Sequence, residues 1–573
     1  MTVKTIETGT TADAYLALLA DRGVDCLFAN AGTDFAPLIE ALCKAEAMGW
    51  PAPKPVTVPH ENVAVGMALG YYLRTGRPQL VMVHVNVGTA NAVAGLLNAW
   101  RANIPVLFTA GRTPFSEEGG LTGKRTGEIH WPQEMRDQRA MVREIVKWDY
   151  ELPNPEVLEA VLDRAINLAI SEPKGPVYLT LPREVLAAPI ANFAYSSPSR
   201  RAAPSPPHPD PAAIERAAEL IARAERPLLV TSSAGRDETD VKKLAALAES
   251  FAIPVAQRKP RYMCLPTDHP MHLGFDPDSL LGEADVVIVA ECDVPWIPGR
   301  KAPAPDAKVI HLGVDPIFAS YPLRGFPCDL AITGVLGATL SQLTEALASR
   351  QAGARDCIEA RRRRLAETRA AQRMRWAALL EKNRDAAPMH PAWVTHCINK
   401  VKGDDAILVK ESPLAFEHLT LTRPGTFFNV GAAGALGWGL GTALGLKAAA
   451  PDKLVVCTVG DGAYMFGNPI PAHYVAKAEG LPILTVIFNN QMWGAVKRNT
   501  REVYPEGFAA GSSREPLTYF DAEMRFERAV EAAGGYGERV SDPAELPKAM
   551  ERALEAVTTE RRQALLNVIC RGP

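Results

Sequence analysis

Two hydrophobic periods alternate along this chain. After Thr10 or Thr11, either of which fits an N-cap, Tyr15, Leu18 and Leu19 recur at helical spacing. Gly23 stops that pattern, and the run 24–28 reads as a short strand. The alternation returns as strand-like 80–84, helix-like 90–100 and strand-like 104–110, and this part of the chain closes near 176–181. Apolar strands separated by helices predict a parallel sheet covered on both faces.

Residues 203–211 hold five prolines in nine positions, which rules out helix or central strand and marks an extended linker. Alternation resumes beyond it, with strands at 227–231, 285–290 and 308–312 and a helix at 238–251. The Arg- and Ala-rich stretch 355–384 predicts a long helical connector, whose successive Arg361, Arg362, Arg363 and Arg364 read as a solvated face. A third part starts near Met389, with strands at 406–410, 426–429, 454–459 and 483–488 and an Ala- and Glu-rich helical tail. The fold expected is α/β: three doubly wound parallel-sheet domains over 1–190, 205–350 and 385–573.

Composition adds mainly exclusions. At 573 residues, 47% hydrophobic and 22% charged, the chain has the size for about three globular domains. Lys+Arg 62 against Asp+Glu 65 leaves a net charge of −3, so no global field favours nucleic acid or an anionic membrane. The nine cysteines form no C-x-x-C pair, the opening residues lack a basic-then-apolar leader, and no apolar run reaches the roughly 18 residues of a membrane helix. These features predict a cytoplasmic protein whose partners are small molecules and other subunits.

Candidate chemistry concentrates in the third part. The apolar run 454–459 ends in Gly460, Asp461 and Gly462, and the run 483–488 ends in Asn489 and Asn490. The stretch between them has the length of one crossover helix, and a right-handed strand-helix-strand unit puts both carboxyl ends on one sheet edge, where open α/β sheets bind ligands. A carboxylate and an amide carbonyl there offer hard oxygen ligands, and the glycines let backbone amides approach an anion. Mg²⁺ carrying a diphosphate ester suits that donor set. Two unrelated surface turns are the bland alternative, and the joint spacing argues against them.

The pair resembles the thiamine-diphosphate signature of the pyruvate decarboxylase and acetolactate synthase superfamily, and the likeness runs along nearly the whole chain. It implies an aminopyrimidine-binding first domain, a middle domain that is structural or holds an accessory nucleotide, and a third domain for diphosphate and metal. By this resemblance Asp461, Asn490 and the Met492 carbonyl would ligate Mg²⁺ and Leu436 would prop thiamine diphosphate in a bent shape. Gly434, Gly460, Gly462 and Ala463 would lie along the cofactor. In 58–72, Glu61 stands at a strand-to-helix junction with Val63, Val65 and Met67, where desolvation favours a carboxyl that shares a proton with the aminopyrimidine. Taken alone, Glu61 reads equally as a helix-capping carboxylate.

The stretch 84–111 resembles the active-site loop and following helix of benzoylformate decarboxylases at His84, Gly88, Thr89 and Asn98 to Trp100, and 411–445 resembles their cofactor-holding segment. This likeness implies decarboxylation of a 2-oxo acid through ylid and enamine intermediates, with His84 as proton relay. A hydrogen-bonded structural histidine is the other reading of His84. His269 aligns with a second active-site histidine, in a Pro-x-x-His-Pro string that acetolactate synthases share. Thr33 and Ser412 match positions that line the pocket, or serve as turn and cap hydroxyls. Val85, Asn86 and the long segment 117–148 depart from the pattern and leave the 2-oxo acid open.

Carboligation of the acetolactate synthase kind shares the same intermediate and is the alternative activity. A dinucleotide oxidoreductase is disfavoured, because the glycines of 434–445 lack G-x-G-x-x-G spacing. No motif demands a flavin. The resemblance also implies a homodimer or homotetramer with active sites at subunit interfaces.

Overall fold

Parallel strands buried on both faces need no polar alternation, and the runs Val455–Gly460 and Leu484–Asn489 are buried almost throughout. In the computed structural model, which describes residues 2–572, such runs build three parallel sheets, each from its own stretch of chain. The first has the order Lys54–Thr57, Cys26–Asn30, Leu80–Val83, Leu107–Arg112, Val177–Pro182, Asp149–Glu151. The third repeats that order with Phe427–Phe428, Ile407–Glu411, Val455–Gly460, Leu484–Asn489, Ala564–Ile569 and Tyr536–Val540. The middle sheet runs Val255–Gln257, Pro227–Thr231, Val286–Ala290, Lys308–Gly313, Leu330–Thr333. Helices cover both faces of each, so the fold is the doubly wound α/β architecture expected. In all three, the strand order reverses direction between the second and third strands across, and such switch points are where open α/β sheets take ligands.

Local signals behave as their chemistry dictates. Thr10 caps Thr11–Asp21 in a capping box with Asp13, and Asp237 caps Glu238–Phe251. The proline-rich stretch carries no helix or strand before Pro211 opens the helix Pro211–Arg223. No helix among the described residues is long and apolar enough to cross a membrane.

Several elements differ from the sequence reading. The helix expected at 90–100 begins at Val85, so His84 is its N-cap and not a loop residue. The crossover after Val455–Gly460 holds two helices, Asp461–Phe466 and Pro469–Ala478, because Asn468 sits at φ 48° before Pro469 and breaks the turn. The tail is not all helical: Ala564–Ile569 is an inner strand of the third sheet. An antiparallel pair, Thr2–Thr10 with Pro189–Ser197, closes the first domain and was not foreseen.

The connector helix Gln351–Lys382 is present, but Arg361 is only 3% exposed, with its Nε and one terminal nitrogen unpartnered. Arg363 and Arg364 are exposed as a solvated face requires, so the correction concerns Arg361 alone, and it carries a prediction. A buried cation without a full set of acceptors costs stability, and burial holds the Arg361 guanidinium below its usual range. Arg361→Met should therefore leave the melting temperature unchanged or raise it, and a clear fall in a thermal melt would refute this reading.

The first and third domains meet through two helices, Glu61–Thr75 and Trp438–Ala449. Glycines set their separation. A Cβ on Gly70 would lie 2.0 Å from the Thr442 carbonyl oxygen, and one on Gly445 would lie 2.0 Å from the Met67 carbonyl oxygen. Met67, Ala68, Leu440, Ala443 and Leu444 share one buried core around this crossing.

Candidate active site

At the third sheet's switch point, the paired strands Ile407–Glu411 and Val455–Gly460 deliver Ser412 and Asp461 to the same edge. Asp461 opens a helix, is 3% exposed, and accepts hydrogen bonds from the amides of Gly462 at 2.8 Å and Gln491 at 2.6 Å. Those bonds tie it to the turn after Leu484–Asn489, where Asn490 Oδ1 accepts the Met492 amide at 3.1 Å. Burial outweighs the amides and pushes the Asp461 carboxyl up to about 6. The crossover thus brings Asp461, Asn490 and Met492 together. Asn489 takes a different role, donating to Asn567 Oδ1 in the sheet interior.

The surroundings fit a bound anionic group. Ser412 Oγ is buried without a partner, and an added Cβ on Gly434 or Gly460 would meet no atom within 4 Å, so both glycines border open space. Gly462 differs: its Cβ would strike the Trp493 ring at 2.4 Å, so this glycine serves ring packing. One carboxylate, one amide oxygen and one carbonyl leave an octahedral ion several positions for other oxygens, as Mg²⁺ with a diphosphate requires.

The segment carrying Gly434 and Leu436 is clamped from two sides. Asn98 of the first domain donates to the Ala435 carbonyl at 2.8 Å and accepts the Ala433 amide at 3.2 Å. Glu411 accepts the amides of Gly437 at 2.6 Å and Gly439 at 2.8 Å, which fixes the start of the helix Trp438–Ala449 directly after Leu436. Burial pushes the Glu411 carboxyl up to about 8. The sequence reading quoted Asn98 in the likeness of 84–111 but gave neither Asn98 nor Glu411 a role. The 411–445 likeness covered Glu411, but no spacing rule marks a carboxylate that binds amides 26 and 28 residues away.

The first sheet's switch point holds Glu61, His84 and Thr33. Glu61 is the first residue of Glu61–Thr75, 7% exposed, and accepts hydrogen bonds from Asn30 Nδ2 at 2.8 Å and from Asn91 Nδ2. Val63, Val65 and Met67, on the same helix, are buried. His84, at the end of Leu80–Val83, is half-buried and bonded to Asp34, and the following Val85 sits at φ 32°, a conformation that strains a β-branched residue. Thr33 is exposed at the start of a short turn, and its carbonyl accepts from Arg183. Within one chain the structure does not bring His269 to any of these residues. It packs in the middle domain, its Nδ1 accepting the Met271 amide and its Nε2 lying 3.8 Å from Glu249, and burial lowers its pKa.

Residues 9–141 match the N-terminal TPP binding domain of thiamine pyrophosphate enzymes, 214–343 their central domain and 412–568 their C-terminal TPP binding domain. The chain belongs to the thiamine pyrophosphate enzymes. This thiamine pyrophosphate enzyme is 29% identical to a benzoylformate decarboxylase of Pseudomonas aeruginosa, over 76% of the chain and 79% of that protein. It is 26% identical to the acetolactate synthase isozyme 3 large subunit of Escherichia coli, over 96% and 93%. A solved Rhodococcus jostii RHA1 thiamine diphosphate-dependent 4-hydroxybenzoylformate decarboxylase shares the fold, with TM-score 0.78 at 22% identity over 99% of this chain and 100% of that one. Membership makes the protein a thiamine-diphosphate-dependent lyase or carboligase.

Proposed function

We propose that the protein decarboxylates a 2-oxo acid with thiamine diphosphate and Mg²⁺. The observation that carries this reading is the buried Asp461 carboxylate bonded to the turn of Asn490 and Met492 at a switch-point edge. Asp461, Asn490 and the Met492 carbonyl would hold the ion, the Gly434 and Gly460 surfaces would clear the cofactor, and Leu436 would support its bend. When bound, the cofactor supplies a nucleophilic carbon and a sink for the electron pair left by CO₂.

The chain's own residues supply proton handling. Glu61, held by Asn30 and Asn91, would bind the aminopyrimidine and exchange a proton with its ring nitrogen. His84 would give a proton to the substrate-derived centre, and we assign His269 no step. Glu61 and Asp461 would meet across a homodimer or homotetramer interface; Phe466, Ile470 and Tyr474, all exposed on the two short helices that follow Asp461, offer an apolar surface for it. The 2-oxo acid with an aryl group is the substrate class the decarboxylase relatives favour, and acetolactate-type carboligation is the second reading, favoured by the relatives that match nearly the full chain.

A panel of 2-oxo acids assayed with and without thiamine diphosphate and Mg²⁺ tests the proposal. Free aldehyde and CO₂ are expected, whereas a hydroxyketone as main product would move the assignment to ligation. Removing the ion by chelation should abolish turnover and restoring Mg²⁺ should recover it. Asp461→Ala should weaken Mg²⁺-dependent cofactor binding by at least the 10- to 100-fold that changes around a metal site typically cost. Unchanged binding by calorimetry would dismiss Asp461 as a ligand.

A further inference from the structure

His84 stands against a partner that no motif marked. At the first switch point, Cys26–Asn30 pairs with Leu80–Val83 and that strand with Leu107–Arg112, and their ends bring His84 to Asp34. Asp34 is 2% exposed; its Oδ1 lies 2.5 Å from His84 Nδ1, and its Oδ2 lies 3.4 Å from the Val85 amide nitrogen. Two glycines make the contact possible. A Cβ on Gly32 would lie 2.1 Å from His84 Nδ1, and one on Gly111 would lie 1.7 Å from Asp34 Oδ2. At the ring's other nitrogen, Gln133 Nε2, from the long segment after Arg112, stands 3.1 Å from His84 Nε2.

An ionised carboxylate only accepts hydrogen bonds, so a neutral imidazole against Asp34 carries its proton on Nδ1 and its lone pair on Nε2. The Gln133 amide suits either charge state of the ring, since its NH₂ donates to a bare Nε2 and its carbonyl accepts from a protonated one.

We propose that Asp34 is a positioning residue that fixes the His84 proton on Nδ1, so that Nε2 is the nitrogen that gives and regains the transferred proton, with Gln133 its partner between turnovers. This rests on the relay role proposed for His84. In the transfer, the Nε2–H bond of the imidazolium breaks, its electron pair stays on Nε2, and the proton passes to the substrate-derived centre. Nδ1 keeps its proton, Asp34 keeps its charge, and water restores the proton on Nε2.

The titratable groups facing the ring are Asp34, Glu61 and His130, with Arg183 beside Asp34. The hydrogen bond to Asp34 is the leading influence and holds the His84 pKa above the ordinary histidine value, against burial, which lowers it.

The test is ¹⁵N NMR of histidine-labelled protein, loaded with thiamine diphosphate and Mg²⁺ and free of substrate, with the His84 signals identified by their loss in His84→Gln. Wild type is expected to show neutral His84 protonated on Nδ1. Asp34→Asn should lower the His84 pKa, shift the neutral form toward Nε2–H, and cut kcat by on the order of 10²-fold, the low end of what an acid-base group contributes, with KM moving far less. His84→Gln added to Asp34→Asn should cost little more, because the two act as one unit. Neutral His84 protonated on Nε2 in wild type would overturn the proposal, and that spectrum decides even if Asp34→Asn fails to fold. So would a folded Asp34→Asn with unmoved tautomer, pKa and kcat. Wild type without turnover on any 2-oxo acid would sink the function proposed above, whereas the spectrum judges the pairing separately.

Discussion

Glu61→Gln is expected to leave the protein folded and to lower turnover by on the order of 10²- to 10⁴-fold, the range of a positioned acid-base group. The amide keeps the shape of the side chain and can still accept from Asn30, so packing at the start of Glu61–Thr75 changes little. What it loses is the exchangeable proton. Circular dichroism and a thermal melt should match wild type, and kcat measured at saturating thiamine diphosphate and Mg²⁺ should carry the loss. If kcat holds while cofactor affinity alone drops, Glu61 anchors the ring and another group moves the proton.

The second large effect concerns the crossing of Glu61–Thr75 and Trp438–Ala449. Gly→Ala inside an exposed helix usually stabilises, by about 0.5–1 kcal/mol, since glycine loses the most freedom on folding. At Gly70 the sign should reverse. The new methyl would meet the Thr442 carbonyl at 2.0 Å and the Leu446 amide nitrogen at 2.7 Å, both backbone atoms that cannot rotate away. Overpacking of this kind typically costs about 1–3 kcal/mol, and two converging backbones place Gly70→Ala at or above the upper end. Gly353→Ala supplies the matched control, because that glycine lies exposed in Gln351–Lys382 with nothing within 4 Å of an added Cβ. Melting temperatures moving in opposite directions are the expected result. A neutral Gly70→Ala would mean that the helices separate without penalty.

Much of the fold was legible because the inner strands are apolar on both faces and the helices between them carry ordinary caps. Pro227–Thr231 and Glu238–Phe251 fall where the periodicity places them. Long-range pairing was not legible. Thr2–Thr10 is mostly exposed, Pro189–Ser197 is mixed in burial, and they pair across nearly the whole first domain, so neither shows a pattern alone. Ala564–Ile569 hid behind an Ala- and Glu-rich neighbour, the helix Leu546–Thr558, whose composition dominated the reading of the tail.

At the site, the carboxylate and amides that end strands were readable, since position at a strand end is itself the chemical signal. The roles of Asp34, Glu411 and Asn98 were not. Each acts through groups distant in sequence, His84 for Asp34, Gly437 and Gly439 for Glu411, Ala433 and Ala435 for Asn98, and only tertiary structure supplies that proximity. His269 shows the converse: a string that matched a family position lies, within one chain, among middle-domain side chains.

Among the described residues no strand is exchanged between the three parallel sheets, and the stretch between Pro189–Ser197 and Pro211–Arg223 contributes to none of them. Each sheet can therefore complete its backbone bonding as it leaves the ribosome, without waiting for residues translated hundreds of positions later. Assembly of the halves that would grip a cofactor becomes a late docking of finished pieces, so a chain cut in that proline-rich stretch retains every inter-strand bond of its sheets.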